Sequence, residues 1–120
     1  MSDNTTTLLQ LKAIARQFIL DRNWDQYHPA KNLAVNLVVE ATELLEIFTW
    51  LTAEESEQKM KQSDRIAVEH EIADVLFSLL AICAKYEIDL SAAFEAKMKL
   101  TAKKYPIEKS YGSNKKYTEF

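Results

Sequence analysis

The chain has 120 residues with one Gly, two Pro and one Cys, and its 18 acidic residues against 15 basic ones leave a net charge of -3. So little Gly and Pro excludes a sheet fold that must turn every few residues, and favours long helices with few loops. The acidic balance excludes a broad basic face for duplex nucleic acid, and a lone thiol excludes an internal disulfide.

The length is that of one domain, read here as residues 1-120, and its small core would gain from oligomerisation. Met1 to Thr7 is polar and has no apolar leader segment. The longest apolar run, Val75 to Ala84, falls short of the ~20 residues that a membrane span needs and contains Ser78. The expected setting is cytoplasmic, with no membrane partner.

In chain order, Leu8, Leu11, Ile14, Ala15, Phe18 and Ile19 recur at helical spacing and predict a first helix from about Thr6 to Asp21. A polar and aromatic connection follows, Arg22-Asn23-Trp24-Asp25-Gln26-Tyr27-His28-Pro29. Pro29 sits at or just before the start of the second helix, about Ala30 to Trp50, whose apolar stripe is Leu33, Leu37, Val38, Ala41, Leu44, Leu45 and Phe48. Thr52 with Glu55 forms a capping-box pattern and predicts a short polar helix to about Lys61. Ser63 or Asp64 is expected to cap a long helix to about Tyr86. Beyond Asp74 that helix is apolar nearly all round, which suits a central position or a subunit interface. Ser91 is expected to cap a further helix, about Ala92 to Lys104, that Pro106 ends. The polar tail from Ile107 to Phe120 is either an ordered arm or a loose end.

The expected fold is therefore all-α, a bundle of about four to five helices. Two acidic patterns stand out on its apolar helices: Glu40-Ala-Thr-Glu43 and Glu71-Ile-Ala-Asp74. Residues at i and i+3 share a helix face with Cβ atoms roughly 5–6 Å apart, so each pattern presents two carboxylates side by side. One such pair is ordinary on a solvated helix face. Two pairs on largely apolar helices would repel one another and lose solvation unless a cation compensates them. Magnesium suits this donor set, because it prefers hard oxygen ligands and commonly bridges carboxylates to substrate phosphates. No His or Cys cluster favours zinc.

With these residues in hand, the sequence resembles the all-alpha nucleotide pyrophosphatase superfamily of MazG-like proteins, whose signature is Glu-x-x-Glu, a spacer and Glu-x-x-Asp. The spacer from Glu43 to Glu71 is 27 residues. The segment Arg22 to His28, the helix start Lys31-Asn32-Leu33, the aromatic step Phe48-Thr49-Trp50, and Lys97-Met98, Tyr105-Pro106 and the tail from Gly112 to Glu119 are all similar to the dCTP pyrophosphatase branch. The resemblance spans nearly the whole chain. It implies a helical subunit that assembles as a dimer or dimer of dimers. It also implies Mg2+-dependent hydrolysis of a nucleoside triphosphate, dCTP or a related nucleotide, to monophosphate and pyrophosphate, as nucleotide-pool housecleaning. By position, Glu40, Glu43, Glu71 and Asp74 would hold the metal and one of them would deprotonate or orient the attacking water. Trp24 and Trp50 would flank the base, with His28, Lys31, Asn32, Lys97 and Tyr105 as further substrate contacts.

Departures from that branch fall outside the acids: Ala15 and Ser78 stand where it often has His and Tyr, and Thr101-Ala102 where it often has Asn-Arg. They bear on base and phosphate contacts. Each aromatic or basic candidate also has a plain structural reading. Trp24 and Trp50 suit an amphipathic core position, His28 suits loop hydrogen bonding, and Lys97, Lys103 and Lys104 complement a helix C-terminus. Lys31 and Asn32 lie in a first helical turn, where free N–H groups attract phosphate. Cys83 reads as a small core residue. The rival function is a non-catalytic helical module that binds nucleotide or protein, against which the four intact acids argue. A carboxylate-bridged di-iron bundle would want Glu-x-x-His pairs, and the chain has none.

Overall fold

A computed structural model describes all 120 residues, Met1–Phe120. It is all helical, with six helices and two short 3-10 turns. These are α1 (Leu8–Asp21), α2 (Ala30–Phe48), α3 (Ala53–Lys61), α4 (Ile66–Lys85), α5 (Leu90–Lys104) and α6 (Ile107–Ser110), with 3-10 turns at Asp25–Tyr27 and Tyr117–Glu119. The chain divides into two compact units, Met1–Ile88 and Asp89–Phe120.

In the first unit α4 packs on both α1 and α2, the central place that its apolar circumference demands. Ile19 of α1, Leu33 of α2 and Ala81 of α4 form the buried cluster, with Phe77 and Ile82 packed against it. Ala15, Val68, Ser78, Leu80 and Cys83 are also buried. Burying a side chain the size of Ile19 stabilises the fold by about 1.5–3 kcal/mol. Much of the α2 stripe is left uncovered: Val38 keeps 64% of its surface and Leu45 61%.

The helix ends explain most boundaries. Thr7 caps α1 by accepting from Gln10 N at 3.1 Å while Gln10 Oε1 accepts from Thr7 N at 2.8 Å, a capping box that moves the start to Leu8. The Thr52–Glu55 box forms as expected, at 3.1 and 2.9 Å. That box fixes Thr52 in an extended conformation, and α2 stops at Phe48, two residues short of the expected end. Neither Ser63 nor Asp64 caps α4. Arg65 takes the N-cap position through its backbone, its carbonyl accepting from Val68 N and Glu69 N at 3.1 and 3.2 Å with no side-chain cap, and the helix begins at Ile66. α5 is capped by Asp89, which accepts from Ala92 N at 3.0 Å, and not by Ser91. An aspartate cap is as good as serine and adds negative charge at the positive helix end.

Two C-termini turn without glycine. Asn23 and Glu87 both take φ of 53°, and Trp24 N and Ile88 N reach back to Ile19 O and Cys83 O at 3.1 and 2.9 Å. These are the six-to-one hydrogen bonds of the Schellman turn, usually built on Gly.

In the second unit the tail is an ordered arm. Tyr105 packs edge-on against Tyr117 and Phe120 at 5.7 and 5.8 Å, and the Lys104 ammonium lies 4.9 Å from the Tyr117 ring.

Candidate metal centre

Glu40 and Glu43 project one helical turn apart from α2, and Glu71 projects from α4 beside it. One carboxylate oxygen from each of Glu40, Glu43 and Glu71 lies within 4.8 Å of the other two. Helix periodicity brings the α2 pair together, and the α2–α4 packing supplies the third acid. Asp74, one turn beyond Glu71, is outside this trio but close enough for its charge to act on both Glu40 and Glu71. Glu46 adds its charge at Glu71.

The electrostatics are those of an uncompensated cluster. Glu40 is raised above the ordinary glutamate value, first by loss of solvent and then by hydrogen bonding and repulsion from Glu43, with Asp74 and Glu71 adding repulsion. Glu71 is raised by loss of solvent and by the charges of Glu43, Asp74 and Glu46. Glu71 Oε2 is buried and has no hydrogen-bond partner. A buried carboxylate oxygen with no donor is costly, and in a ring of like charges no protein donor is at hand. The donor set is all carboxylate oxygen, half-exposed, which fits a hard divalent cation.

The other sequence candidates are placed as follows. Trp24 is 43% exposed and stands edge-on to Phe18 at 5.8 Å, and Phe18 stands edge-on to Phe77 of α4 at 5.6 Å. The Arg22 guanidinium lies 3.6 Å from the centre of the Phe18 ring. Trp50, just past α2, is 92% exposed and unpacked. Lys31 is exposed at the start of α2, where the Asn32 side chain donates to Tyr27 O at 3.1 Å. His28 is half-buried with Nδ1 buried and unpartnered. Lys97 is exposed on α5, and Tyr105 is in the aromatic cluster of the second unit. The departures Ala15 and Ser78 are both buried, at 2% and 6% exposure, and Cys83 is buried as expected.

One group escaped the sequence reading. Asp25 accepts from Arg16 Nη1 at 2.7 Å and faces Lys85 Nζ at 3.4 Å. These cations hold Asp25 below the ordinary aspartate value, the Arg16 hydrogen bond foremost. No local pattern marks a pair sixty residues apart, such as Asp25 and Lys85.

Comparison with known proteins gives the chain its family. The MazG-like family pattern matches residues 35–120, which contain all four acids. The chain is 37% identical to dCTP pyrophosphatase 1 of Rattus norvegicus over 94% of its own length and 67% of that protein. It is 36% identical to dCTP pyrophosphatase 1 of Homo sapiens over the same shares. A pyrophosphatase from Archaeoglobus fulgidus superposes with a TM-score of 0.76 at 39% identity, covering 88% of this chain and 98% of that one. The chain belongs to the MazG-like family. Within it, this is an enzyme of the pyrophosphatase class, a hydrolase of phosphoanhydride bonds.

Proposed function

We propose that the substrate is dCTP or a closely related deoxynucleoside triphosphate, cut to the monophosphate and pyrophosphate with Mg2+ held by Glu40, Glu43, Glu71 and Asp74. That the chain is a nucleoside triphosphate pyrophosphohydrolase follows from its family and its dCTP pyrophosphatase relatives. The observation that carries the site assignment is the convergence of three carboxylates within 4.8 Å, with Glu71 Oε2 left buried and unpartnered.

Bound there, Mg2+ supplies charge neutralisation for the phosphate chain and a lowered pKa for water. One of the four carboxylates accepts the proton of the attacking water as its oxygen bonds to phosphorus and pyrophosphate departs. Trp24 and Trp50 offer the base two aromatic faces, worth roughly 1–3 kcal/mol per stacked base. Lys31, with the open first turn of α2, brings positive charge to the phosphates. Asn32 and His28 complete the contacts proposed for this unit, and the Asn32 amide serves there by fixing the Tyr27 carbonyl. Lys97 and Tyr105 of the second unit enter as the family resemblance implies them.

The natural form is a homodimer or a dimer of dimers in the cytoplasm. No helix of the chain is long and apolar enough to cross a membrane. Support for self-association comes from the uncovered apolar faces of α2 and α4. Leu44, Leu45 and Phe48 of α2 and Ile72 of α4 line an open groove there with Met60 of α3, over the buried Val68, in a small unit that would gain by covering it.

Pyrophosphate release from dCTP, the other dNTPs and the NTPs, with Mg2+ and with EDTA, tests the proposal. Release from dCTP that needs Mg2+ and is lost in Glu43→Gln is expected. A folded protein that binds nucleotide but releases no pyrophosphate from any triphosphate would be a binding module instead.

A further inference from the structure

The segment Trp24 to Pro29 has no regular structure beyond one 3-10 turn, yet its carbonyl groups are held from two directions. Lys85 Nζ, in the last turn of α4, donates to His28 O at 2.5 Å and to Asp25 O at 3.4 Å, and faces Asp25 Oδ1 at 3.4 Å. A lysine in this position would ordinarily extend to solvent and complement its own helix end. Here the side chain is 20% exposed and is spent on a different segment. Arg16 of α1 holds the same Asp25 carboxylate at 2.7 Å, and Asn32 of α2 holds Tyr27 O at 3.1 Å. The segment is thus fastened to α1, α2 and α4 at once.

What this fixes is Trp24. The indole emerges from the Asn23 turn, whose φ of 53° and Trp24 N to Ile19 O bond set the direction of the backbone. One residue later the chain is pinned by Asp25. The ring then rests on Phe18, which rests on Phe77, one turn along α4 from Asp74. So α4 carries the acids at Glu71 and Asp74, and further along carries both the aromatic support and the ammonium that orient Trp24.

We infer that Lys85, with Asp25 and Arg16, forms a positioning clamp that holds Trp24 in a fixed orientation for the nucleobase. This rests on the substrate reading proposed above. The three residues do not touch the reacting atoms. Their effect falls on base binding and leaves the chemical step alone, which separates them from the carboxylates.

The test is steady-state kinetics of Lys85→Met, Lys85→Arg and Asp25→Asn on dCTP with Mg2+, beside a thermal melt of each. Lys85→Met is expected to raise KM roughly tenfold with kcat within twofold of the parent, and Lys85→Arg to recover most of that loss, because a guanidinium still reaches two acceptors. Should Lys85→Met fail to fold, Asp25→Asn, which keeps the side-chain shape, is expected to show the same KM shift at a smaller size. A parental KM in folded Lys85→Met, or a loss confined to kcat, overturns the clamp while leaving the pyrophosphohydrolase reading intact. No turnover of any nucleoside triphosphate by the parent chain removes that reading, and the clamp with it.

Discussion

Asp25 and Glu71 are carboxylates of the same unit in opposite surroundings. Asp25 lies between a guanidinium and an ammonium, and its acid strength is increased. Glu71 lies among Glu43, Glu46 and Asp74, has one oxygen buried without a donor, and its acid strength is decreased. Both environments were made by the same packing of α4 against its neighbours. The cations Arg16 and Lys85 are available in the chain, and folding places them at Asp25 and none at Glu71. A carboxylate given its counter-charges by the fold belongs to the scaffold. One denied them, in company with two or three more, is what the proposed metal site requires.

The largest effect expected from breaking this contrast is at the acids. Glu71→Gln and Glu43→Gln should each lower pyrophosphate release by about a hundredfold or more, the scale of losing a group that acts on the reacting water or its cation. Their metal-free melting temperatures should not fall, because each substitution keeps the side-chain shape and removes a repelling charge. A melt that collapses together with activity would show the cluster to be scaffold after all. Next in size is metal itself. At a hundredfold excess over its Kd, Mg2+ should add about 2.7 kcal/mol to the unfolding free energy of the parent chain, read from urea curves. Glu43→Gln should lose most of this gain and Lys85→Met should keep it.

The two halves of the contrast were unequally legible in the sequence. Glu40 with Glu43 and Glu71 with Asp74 are visible because helix geometry turns a spacing of three into a shared face, and because their neighbours are apolar. That α2 and α4 pack side by side is written in neither stripe, since an apolar face does not name its partner, and it comes from the fold. The Asp25 clamp was invisible, since Arg16, Asp25 and Lys85 come from three separate stretches and each looks like a surface charge. Local chemistry was read well where it is local: Thr52 with Glu55 capped α3 as expected. It failed where a helix starts with no side-chain cap at all, as at Arg65 before α4, or where two good caps stand two residues apart, as with Asp89 and Ser91.

The Asp25 side predicts a pH dependence. An aspartate has an unfolded value of about 3.9, and Asp25 in the folded chain lies below its ordinary value. Such a group favours folding while ionised. Its contribution is fully present above the unfolded value and is lost as pH falls through the folded one. The urea midpoint of Asp25→Asn should therefore lie below that of the parent by a constant margin from pH 7 to pH 5, and the margin should close on further acidification below about 3.9. Salt should shrink it too, since the pair is partly exposed. A margin that survives acid undiminished would mean that Asp25 acts through shape and hydrogen bonding instead of charge.

The smallest effect concerns the helix that carries both regions. Lys85 reaches the segment around Asp25 from the last turn of α4, and the chain leaves that helix on Glu87, a non-glycine residue at φ of 53°. A Cβ in the left-handed region costs about 1–2 kcal/mol, which glycine avoids while adding unfolded-state freedom. Glu87→Gly should consequently stabilise the chain by about 0.5–1 kcal/mol, seen as a higher urea midpoint with an unchanged slope. Since the Ile88 N to Cys83 O bond is retained, neither KM nor kcat for dCTP should move. If stability instead falls, Glu87 is paid for by an interaction of its own side chain, and the end of α4 is fixed by more than its backbone turn.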